Sequence, residues 1–151
     1  METHGNNYVL WRDDECIVKT PFNPHTSYEE GANVIVQPVH EIPSASRDPE
    51  LAGRVFTLAA KVARVMEDIE LAPWTNIQSN GNWGLLPGST PFFHVYVYGR
   101  NRTERWGKPI IIPEAPKTYH NEPMPEADRL KLAETLKNSL MSEANETVAE
   151  L

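Results

Sequence analysis

One histidine, His94, lies in a stretch of aromatic and β-branched residues, TPFFHVYVYGRN, at positions 90–101. Such residues are typical of a strand, which we predict over residues 92–98, bounded by Pro91 and Gly99. An imidazole near neutral pH can act as a nucleophile or exchange a proton, although a lone strand histidine is also often structural. Because side chains alternate along a strand, His94 shares one face with three aromatic residues, Phe92, Tyr96 and Tyr98.

A second predicted strand carries amide side chains that can meet this face. Residues 74–80 precede the histidine strand by a short loop, and strands joined in this way pair antiparallel. Amide residues alternate with Thr75, Ile77 and Ser79 along this segment, so the amides fall on one face. Several polar groups would then converge around His94, as they do in a binding site. The amides concerned are Asn76, Gln78 and Asn80.

The remaining pattern predicts an α+β fold, with helices on one side of an antiparallel sheet. A hairpin over residues 7–12 and 15–20 and a strand over 33–38 come first. The main helix begins at Asp48-Pro49, where Asp can cap the free N–H groups and Pro fits the first turn. It should end before Pro73.

The C-terminal part of the chain is predicted as one helix with a polar tail. The helix covers roughly residues 126–142, and the tail after it should fray. We therefore divide the chain into a domain over residues 1–125, irregular and Pro-rich from about 107, and a helical segment over 126–151.

Composition narrows the classes of function. The 151 residues fit one domain, and the net charge of −7 argues against binding to duplex nucleic acid. The single cysteine, Cys16, excludes an internal disulfide and a CxxC zinc site, so a reducing compartment is natural. We expect no metal and no cofactor. The N-terminus has no apolar signal region and no apolar run is long enough for a bilayer. We expect a cytoplasmic protein that has no membrane partner.

The run from Gly88 to Arg100, GSTPFFHVYVYGR, resembles the signature of the histidine-triad (HIT) superfamily. That signature has three histidines alternating with apolar residues after a small polar turn, often before a Gly-Arg pair. The order of elements over residues 8–106 is also similar to that of the family. The resemblance implies a small HIT-like α+β fold, usually homodimeric.

The match includes only one of the three triad histidines. Phe92 stands at the first position, His94 at the middle one and Tyr96 at the third. In the family the middle histidine attacks the α-phosphorus of a nucleotide and forms a nucleotidyl-histidine intermediate. The resemblance thus implies catalytic roles for His94 and Tyr96. The phenol, with an unperturbed pKa of about 10, would be a poor proton shuttle near neutral pH but can donate a hydrogen bond.

The resemblance also implies a set of residues that bind the nucleotide and its phosphate. Ser89 matches the small hydroxyl residue that contacts phosphate in the family, and a basic run from Arg100 to Lys108 follows the strand. Trp83 and Trp106 can stack on a base or pack in a core or dimer interface. The predicted binding residues are Ser89, Gln78, Asn80, Arg100 and His40.

Three functions remain open on this basis. The first is a nucleotide hydrolase or nucleotidyl transferase that uses His94. The second is a nucleotide-binding module without turnover, which the loss of the outer histidines at Phe92 and Tyr96 favours. The third is a dimeric interaction protein without a ligand, which Ser89 and His94 argue against.

Overall fold

Five antiparallel strands form one sheet in this computed structural model, which describes residues 1–101 and 119–150. The order across the sheet is β1-β2-β3-β5-β4. Two α-helices complete the fold, so the α+β prediction is confirmed. The elements are β1 (Asn7–Arg12), β2 (Cys16–Pro21), β3 (Asn33–Pro38), α1 (Pro49–Asp68), β4 (Trp74–Gln78), β5 (Val95–Arg100) and α2 (Glu126–Ala149).

Local sequence signals set the hairpin and the start of the main helix, as predicted. In the turn between β1 and β2, the Asp13 carboxylate accepts hydrogen bonds from the backbone N–H groups of Glu15 and Cys16. At the start of α1, the Asp48 side chain accepts a hydrogen bond from the N–H of Leu51 at 3.0 Å. Both carboxylates satisfy N–H groups that would otherwise lack a partner.

The sheet has one apolar and one polar face. The apolar face packs against α1, and α2 adds Leu132 and Leu136 to the same core. The opposite face carries Lys19, Gln37 and Tyr96, and a cavity lies over these side chains. Five fully buried valines of the central strands form the apolar face: Val18, Val34, Val36, Val95 and Val97.

The histidine strand is shifted relative to its prediction. It spans Val95–Arg100, so His94 lies just before the strand and not in its middle. The backbone before Val95 finds other partners: the Phe93 N–H donates to the Ile42 carbonyl at 2.7 Å. The His94 carbonyl likewise accepts a hydrogen bond from the Ser79 hydroxyl at 2.8 Å. These two hydrogen bonds take the place of strand-to-strand backbone hydrogen bonds and hold His94 at the end of the sheet.

Two other element boundaries differ from the prediction. β4 ends at Gln78, so Asn80 lies beyond the strand. α2 continues to Ala149 and does not fray after residue 142, and Lys61 of α1 pairs with Glu143 at 2.5 Å. The division of the chain at residue 125 stays a prediction. Among the residues described, no helix is long and apolar enough to cross a membrane.

A close backbone contact explains why β5 continues through Gly99. A Cβ on Gly31, whose φ is +137°, would lie 1.7 Å from the Gly99 carbonyl oxygen. A Cβ on Gly99 would in turn lie 2.9 Å from the Ala72 Cβ. Only glycine fits at such an approach. Gly99 pairs with Thr75 of β4, so it belongs to the sheet and does not end the strand.

Replacing Gly31 with alanine should destabilise the fold. We expect Gly31→Ala to lower the free energy of unfolding by at least about 1–3 kcal/mol, because the new methyl group strains the backbone against Gly99. Gly53→Ala in α1 is the matched control, since nothing lies within 4 Å of its Cβ position. It should stabilise by about 0.5–1 kcal/mol. Equal denaturant midpoints for the two variants would contradict the close-contact explanation.

Candidate functional site

His94 is held between two aromatic rings at the end of the sheet. Its side chain is largely buried, with 9% of the residue exposed. The Phe92 ring stacks on the imidazole with a centroid distance of 4.5 Å, and the Tyr96 ring meets it edge-on at 4.8 Å. The imidazole orientation is therefore fixed by packing as well as by hydrogen bonding.

The hydrogen bond of His94 determines which ring nitrogen is free. Its Nδ1 lies 3.1 Å from the Phe92 carbonyl oxygen, which can only accept, so Nδ1 carries the proton. Burial lowers the His94 pKa below its ordinary value, against the opposing effect of the Phe92 carbonyl. The imidazole is thus neutral at pH 7, with the Nε2 lone pair available to a ligand.

A small cavity of about 210 Å³ adjoins His94 on one side. The Asn80 side-chain Nδ2 is buried there without a hydrogen-bond partner, and the exposed Ser89 also lines this cavity. Amide and hydroxyl donors beside a neutral imidazole are suited to an oxyanion. The lining residues are Asn80, Gly81, Trp83, Gly84, Ser89, Thr90, Phe92 and His94.

A larger cavity of about 530 Å³ covers the polar face of the sheet and also reaches His94. Its lining includes Lys19, Asn33 and Gln37, each more than nine-tenths buried. Both polar atoms of the Asn33 side chain and the Gln37 Oε1 lack a hydrogen-bond partner. Aromatic side chains also line it, namely Phe22, Phe92, Tyr96, Trp83 and Tyr119.

Unpaired buried polar atoms are concentrated at these two cavities. Five such side-chain atoms occur among the described residues, and four of them belong to Asn33, Gln37 and Asn80. The fifth is Arg129 Nε on α2. A buried polar atom without a partner is destabilising by about 1–3 kcal/mol, so a cluster of them indicates a place where a polar ligand or water binds.

A second histidine lies at the site without having been predicted. His25, in the loop after β2, lines the large cavity, and its Nδ1 is 2.6 Å from the Tyr98 hydroxyl. Its ring centroid is 4.9 Å from that of Tyr96. Sequence gave no signal for this contact, because it depends on how the loop folds over the sheet face.

Tyr96 lies between the two histidines and stays protonated. Burial raises its pKa well above the ordinary value, and the neighbouring Tyr119 raises it further. The phenol can therefore donate a hydrogen bond at neutral pH but cannot take up a proton as a base. Gln78 pairs with Tyr96 across β4 and β5 as the alternation predicted, but it lines neither cavity.

The other predicted binding residues lie away from His94. The Arg100 guanidinium is buried at the far end of β5 and donates to the Asn76 Oδ1 at 2.6 Å, so it is not part of either cavity. His40 is exposed in the bend after β3 and also lines neither cavity. Four residues predicted as the rest of the basic run or as a stacking platform fall outside the described residues: Arg102, Arg105, Trp106 and Lys108.

Within residues 1–101 and 119–150, no three His, Cys, Asp or Glu side chains are grouped so that they could hold a metal ion. The hydrogen-bonding groups at His94 are instead amides, hydroxyls and a lysine. This arrangement offers a ligand a neutral imidazole, neutral hydrogen-bond donors and one buried ammonium group.

Similar folds occur among solved structures, whereas no protein-family model and no curated protein sequence matches the chain. A zinc-bound histidine triad family protein from Mycobacterium smegmatis is 15% identical with a TM-score of 0.64, over 89% of this chain and 86% of that one. A histidine triad protein from Marinobacter aquaeolei VT8 is 17% identical with a TM-score of 0.61, over 89% and 91%. A hypothetical histidine triad nucleotide-binding protein from Sulfolobus tokodaii is 14% identical with a TM-score of 0.58, over 87% and 85%.

The hydrogen bond to the Phe92 carbonyl predicts the tautomer of His94. At pH 7 the imidazole should be neutral, with the proton on Nδ1, and it should titrate below its ordinary value of 6.5. Because the unfolded chain then binds the proton more tightly, this histidine should make the fold less stable as the pH falls below about 6.5. Nitrogen-15 NMR of the imidazole measures both properties. A proton on Nε2 at pH 7 would contradict the predicted tautomer.

Proposed function

We propose that this chain, which has the histidine-triad fold, binds a nucleotide or nucleoside phosphate with a phosphate beside His94. We further propose that it acts as a nucleotide hydrolase or nucleotidyl transferase at the α-phosphate. The observation that carries this proposal is that Asn33, Gln37 and Asn80, which hold four unpaired buried polar atoms, line the two cavities flanking a neutral, oriented imidazole. Fold alone does not specify a function, so the proposal depends on this site.

The small cavity is the proposed position of the phosphate. Asn80 Nδ2 needs an acceptor, and Ser89 can contribute a hydroxyl donor from the adjacent loop. Of the two glycines in the lining, Gly81 has open space at its Cβ position, whereas a Cβ on Gly84 would lie 2.5 Å from the Pro91 Cβ. Phosphate oxygens are acceptors only, and they therefore match a cavity in which the unpaired group is a donor.

In the proposed reaction, His94 Nε2 attacks the α-phosphorus while the bond from phosphorus to the leaving-group oxygen breaks. The product is a nucleotidyl-histidine, and attack by water or another acceptor on its phosphorus then releases His94 unchanged. The neutral state of the imidazole supports the first step, because only an unprotonated Nε2 can attack. The hydrogen bond to the Phe92 carbonyl stabilises the positive charge that develops on the ring.

The leaving group receives less assistance than the nucleophile. Tyr96 can donate a hydrogen bond to the departing oxygen, but its raised pKa makes full proton transfer from the phenol unfavourable. Phe92 offers no hydrogen bond from its side chain. We therefore propose that substrates whose leaving group is a weak base react faster than those whose leaving group must be protonated. A phosphate that leaves from a phosphoanhydride is an example of such a weak base.

The same observations support a second candidate, a nucleotide-binding module without turnover. A missing proton shuttle removes the factor of about 10²–10⁴ that acid–base catalysis supplies. The stacked Phe92 ring also covers one side of His94. In this candidate the two cavities bind the nucleotide, and the imidazole serves as a hydrogen-bond acceptor.

We also propose a homodimer in the cytoplasm that does not bind duplex nucleic acid. Strand β4 is at the edge of the sheet, where no strand of residues 1–101 or 119–150 pairs with its outer backbone groups. Its Trp74 is 59% exposed, and Ile77 is exposed as well. Exposed apolar side chains on an edge strand favour pairing with another chain.

Replacing the nucleophile should separate an enzyme from a binding module. If His94 forms the intermediate, His94→Ala should abolish release of nucleoside monophosphate while nucleotide affinity remains largely intact, because the attack stabilises only the transition state. His120→Ala, at an exposed position, is the control and should keep full activity. Activity is followed across a nucleotide panel, with mass spectrometry of the protein after an acid-free quench. A native protein that binds a nucleotide tightly but gives neither product nor adduct would favour the binding module.

Removing a proposed phosphate ligand should weaken binding. We expect Ser89→Ala to reduce nucleotide affinity by about 1.5–3 kcal/mol, the value of a hydrogen bond to a charged group. Ser142→Ala is the matched control, because that hydroxyl donates to the Asn138 carbonyl in its own helix, α2. Calorimetry measures both affinities, and an unchanged value for Ser89→Ala would remove this residue from the site.

A further inference from the structure

The large cavity is lined by a buried cation, Lys19, which the Glu41 carboxylate attracts from beyond salt-bridge distance. Lys19 is 6% exposed, and its Nζ contacts only the His4 Nδ1, at 3.4 Å. No acidic side chain in the described ranges lies within salt-bridge distance of it. Burial lowers its pKa to about 8, so the ammonium form still predominates at pH 7. Its remaining N–H groups can donate to a ligand in the cavity.

The sheet register places the unpaired amides around this lysine. Lys19 pairs with Ile35 of β3, and Ile35 pairs with Tyr96 on its other side. Asn33 and Gln37 follow on the same face, each two residues, or about 7 Å, from Ile35. The arrangement is thus an apolar centre at Ile35 with hydrogen-bonding groups on three sides.

The same register connects this group to His94. Val36 pairs with Val95 in this antiparallel pair of strands. The residue after Val36, Gln37, therefore lies beside the residue before Val95, His94. Both residues line the large cavity. A ligand whose phosphate contacts His94 would therefore place its next group over Ile35, within reach of Lys19 and the amides. The volume of about 530 Å³ is in the range of small-molecule sites, about 300–1,000 Å³.

The groups that need partners define the chemistry of that ligand. They are one ammonium, two amide oxygens (Asn33 Oδ1 and Gln37 Oε1) and one amide nitrogen (Asn33 Nδ2). A simple anion would satisfy the ammonium and the nitrogen but would repel the two oxygens. A ligand that satisfies all of them must present acceptors on one side and N–H donors on another.

We propose, on the basis of the proposed nucleotide function, that the large cavity binds a guanine base and that Lys19, Asn33 and Gln37 select it over adenine. Guanine presents O6 and N7 as acceptors, which a lysine recognises, and its adjacent N1–H and 2-amino groups form a donor edge for an amide oxygen on one side of Ile35. Adenine has an amino group in place of O6 and would direct its N–H toward the ammonium. It also lacks both the N1–H and the 2-amino donors.

The aromatic lining is consistent with a flat base in this cavity. Trp83 and Tyr119 both line it, together with His25. Base stacking on such rings adds about 1–3 kcal/mol without distinguishing between purines. Selection between guanine and adenine therefore depends on the polar groups.

The test compares calorimetric affinities for GMP, IMP and AMP at pH 7. We expect GMP to bind at least about fivefold more tightly than AMP, since one well-placed base contact discriminates by about 1–3 kcal/mol. IMP, which keeps O6 and N1–H but lacks the 2-amino group, should fall between them. Lys19→Met, which replaces the ammonium with an apolar chain, should reduce the GMP preference to less than about twofold. Lys137→Met, at an exposed position on α2, should retain it.

Each outcome decides a separate point. Similar affinities of the native protein for GMP and AMP would overturn guanine selection while leaving nucleotide binding intact. No binding of any nucleotide would overturn the proposed function as well. If Lys19→Met does not fold, as judged by thermal unfolding, Gln37→Leu replaces it, because loss of one amide oxygen should also reduce the preference for GMP. A folded variant at Lys19 or Gln37 that keeps the native preference would contradict the role of that residue.

Discussion

The alternation of side chains on β3 and β5 is the constraint on which the rest of this structure depends. On these two strands the even-numbered valines of β3 and the odd-numbered valines of β5 enter the core against α1. The residues between them face the large cavity. A register slip of one residue would exchange the two faces and bury His94 and Gln37 in the apolar core, which would be strongly unfavourable. The stability of the core therefore fixes the position of the candidate site.

The site itself is destabilising for the fold. The buried ammonium of Lys19 and the unpaired amides of Asn33 and Gln37 would each be more stable in water. Replacement by apolar residues of similar size would remove these penalties, so packing alone gives no reason for such residues at these positions. A ligand that supplies the missing hydrogen bonds would stabilise the native state, because it binds the folded chain and not the unfolded one.

Much of the fold and part of the site could be predicted from sequence, because they depend on local patterns. The Asp48 cap, the hairpin turn and the pairing of Gln78 with Tyr96 follow from short-range signals. The fold class follows from the order of those elements, and the signature around His94 agrees with the fold that the structure shows. Element boundaries were less predictable. Glycine is common in turns, but Gly99 lies within β5, where it pairs with Thr75 and Gly31 approaches it closely.

The large cavity could not be predicted, since no local pattern reveals it. Asn33 and Gln37 flank an apolar run of three residues, and that run hides the alternation of the strand. Lys19 becomes part of the site only through the pairing of β2 with β3. His25 depends on the path of a loop. Arg100 shows the opposite error, because a basic residue expected in a loop is instead buried against Asn76.

The geometry places the chemical weakness of the site at the leaving group and not at the nucleophile. His94 is neutral, oriented by the Phe92 carbonyl and enclosed by two rings, so little reorganisation precedes an attack. Tyr96 occupies the position from which a proton would have to be supplied, and burial makes that phenol a weaker acid than in water. The other imidazole nearby, His25, has its Nδ1 on the Tyr98 hydroxyl and its ring against that of Tyr96. In the proposed reaction, a substrate that needs no proton at its leaving group is therefore the one best suited to this arrangement of residues.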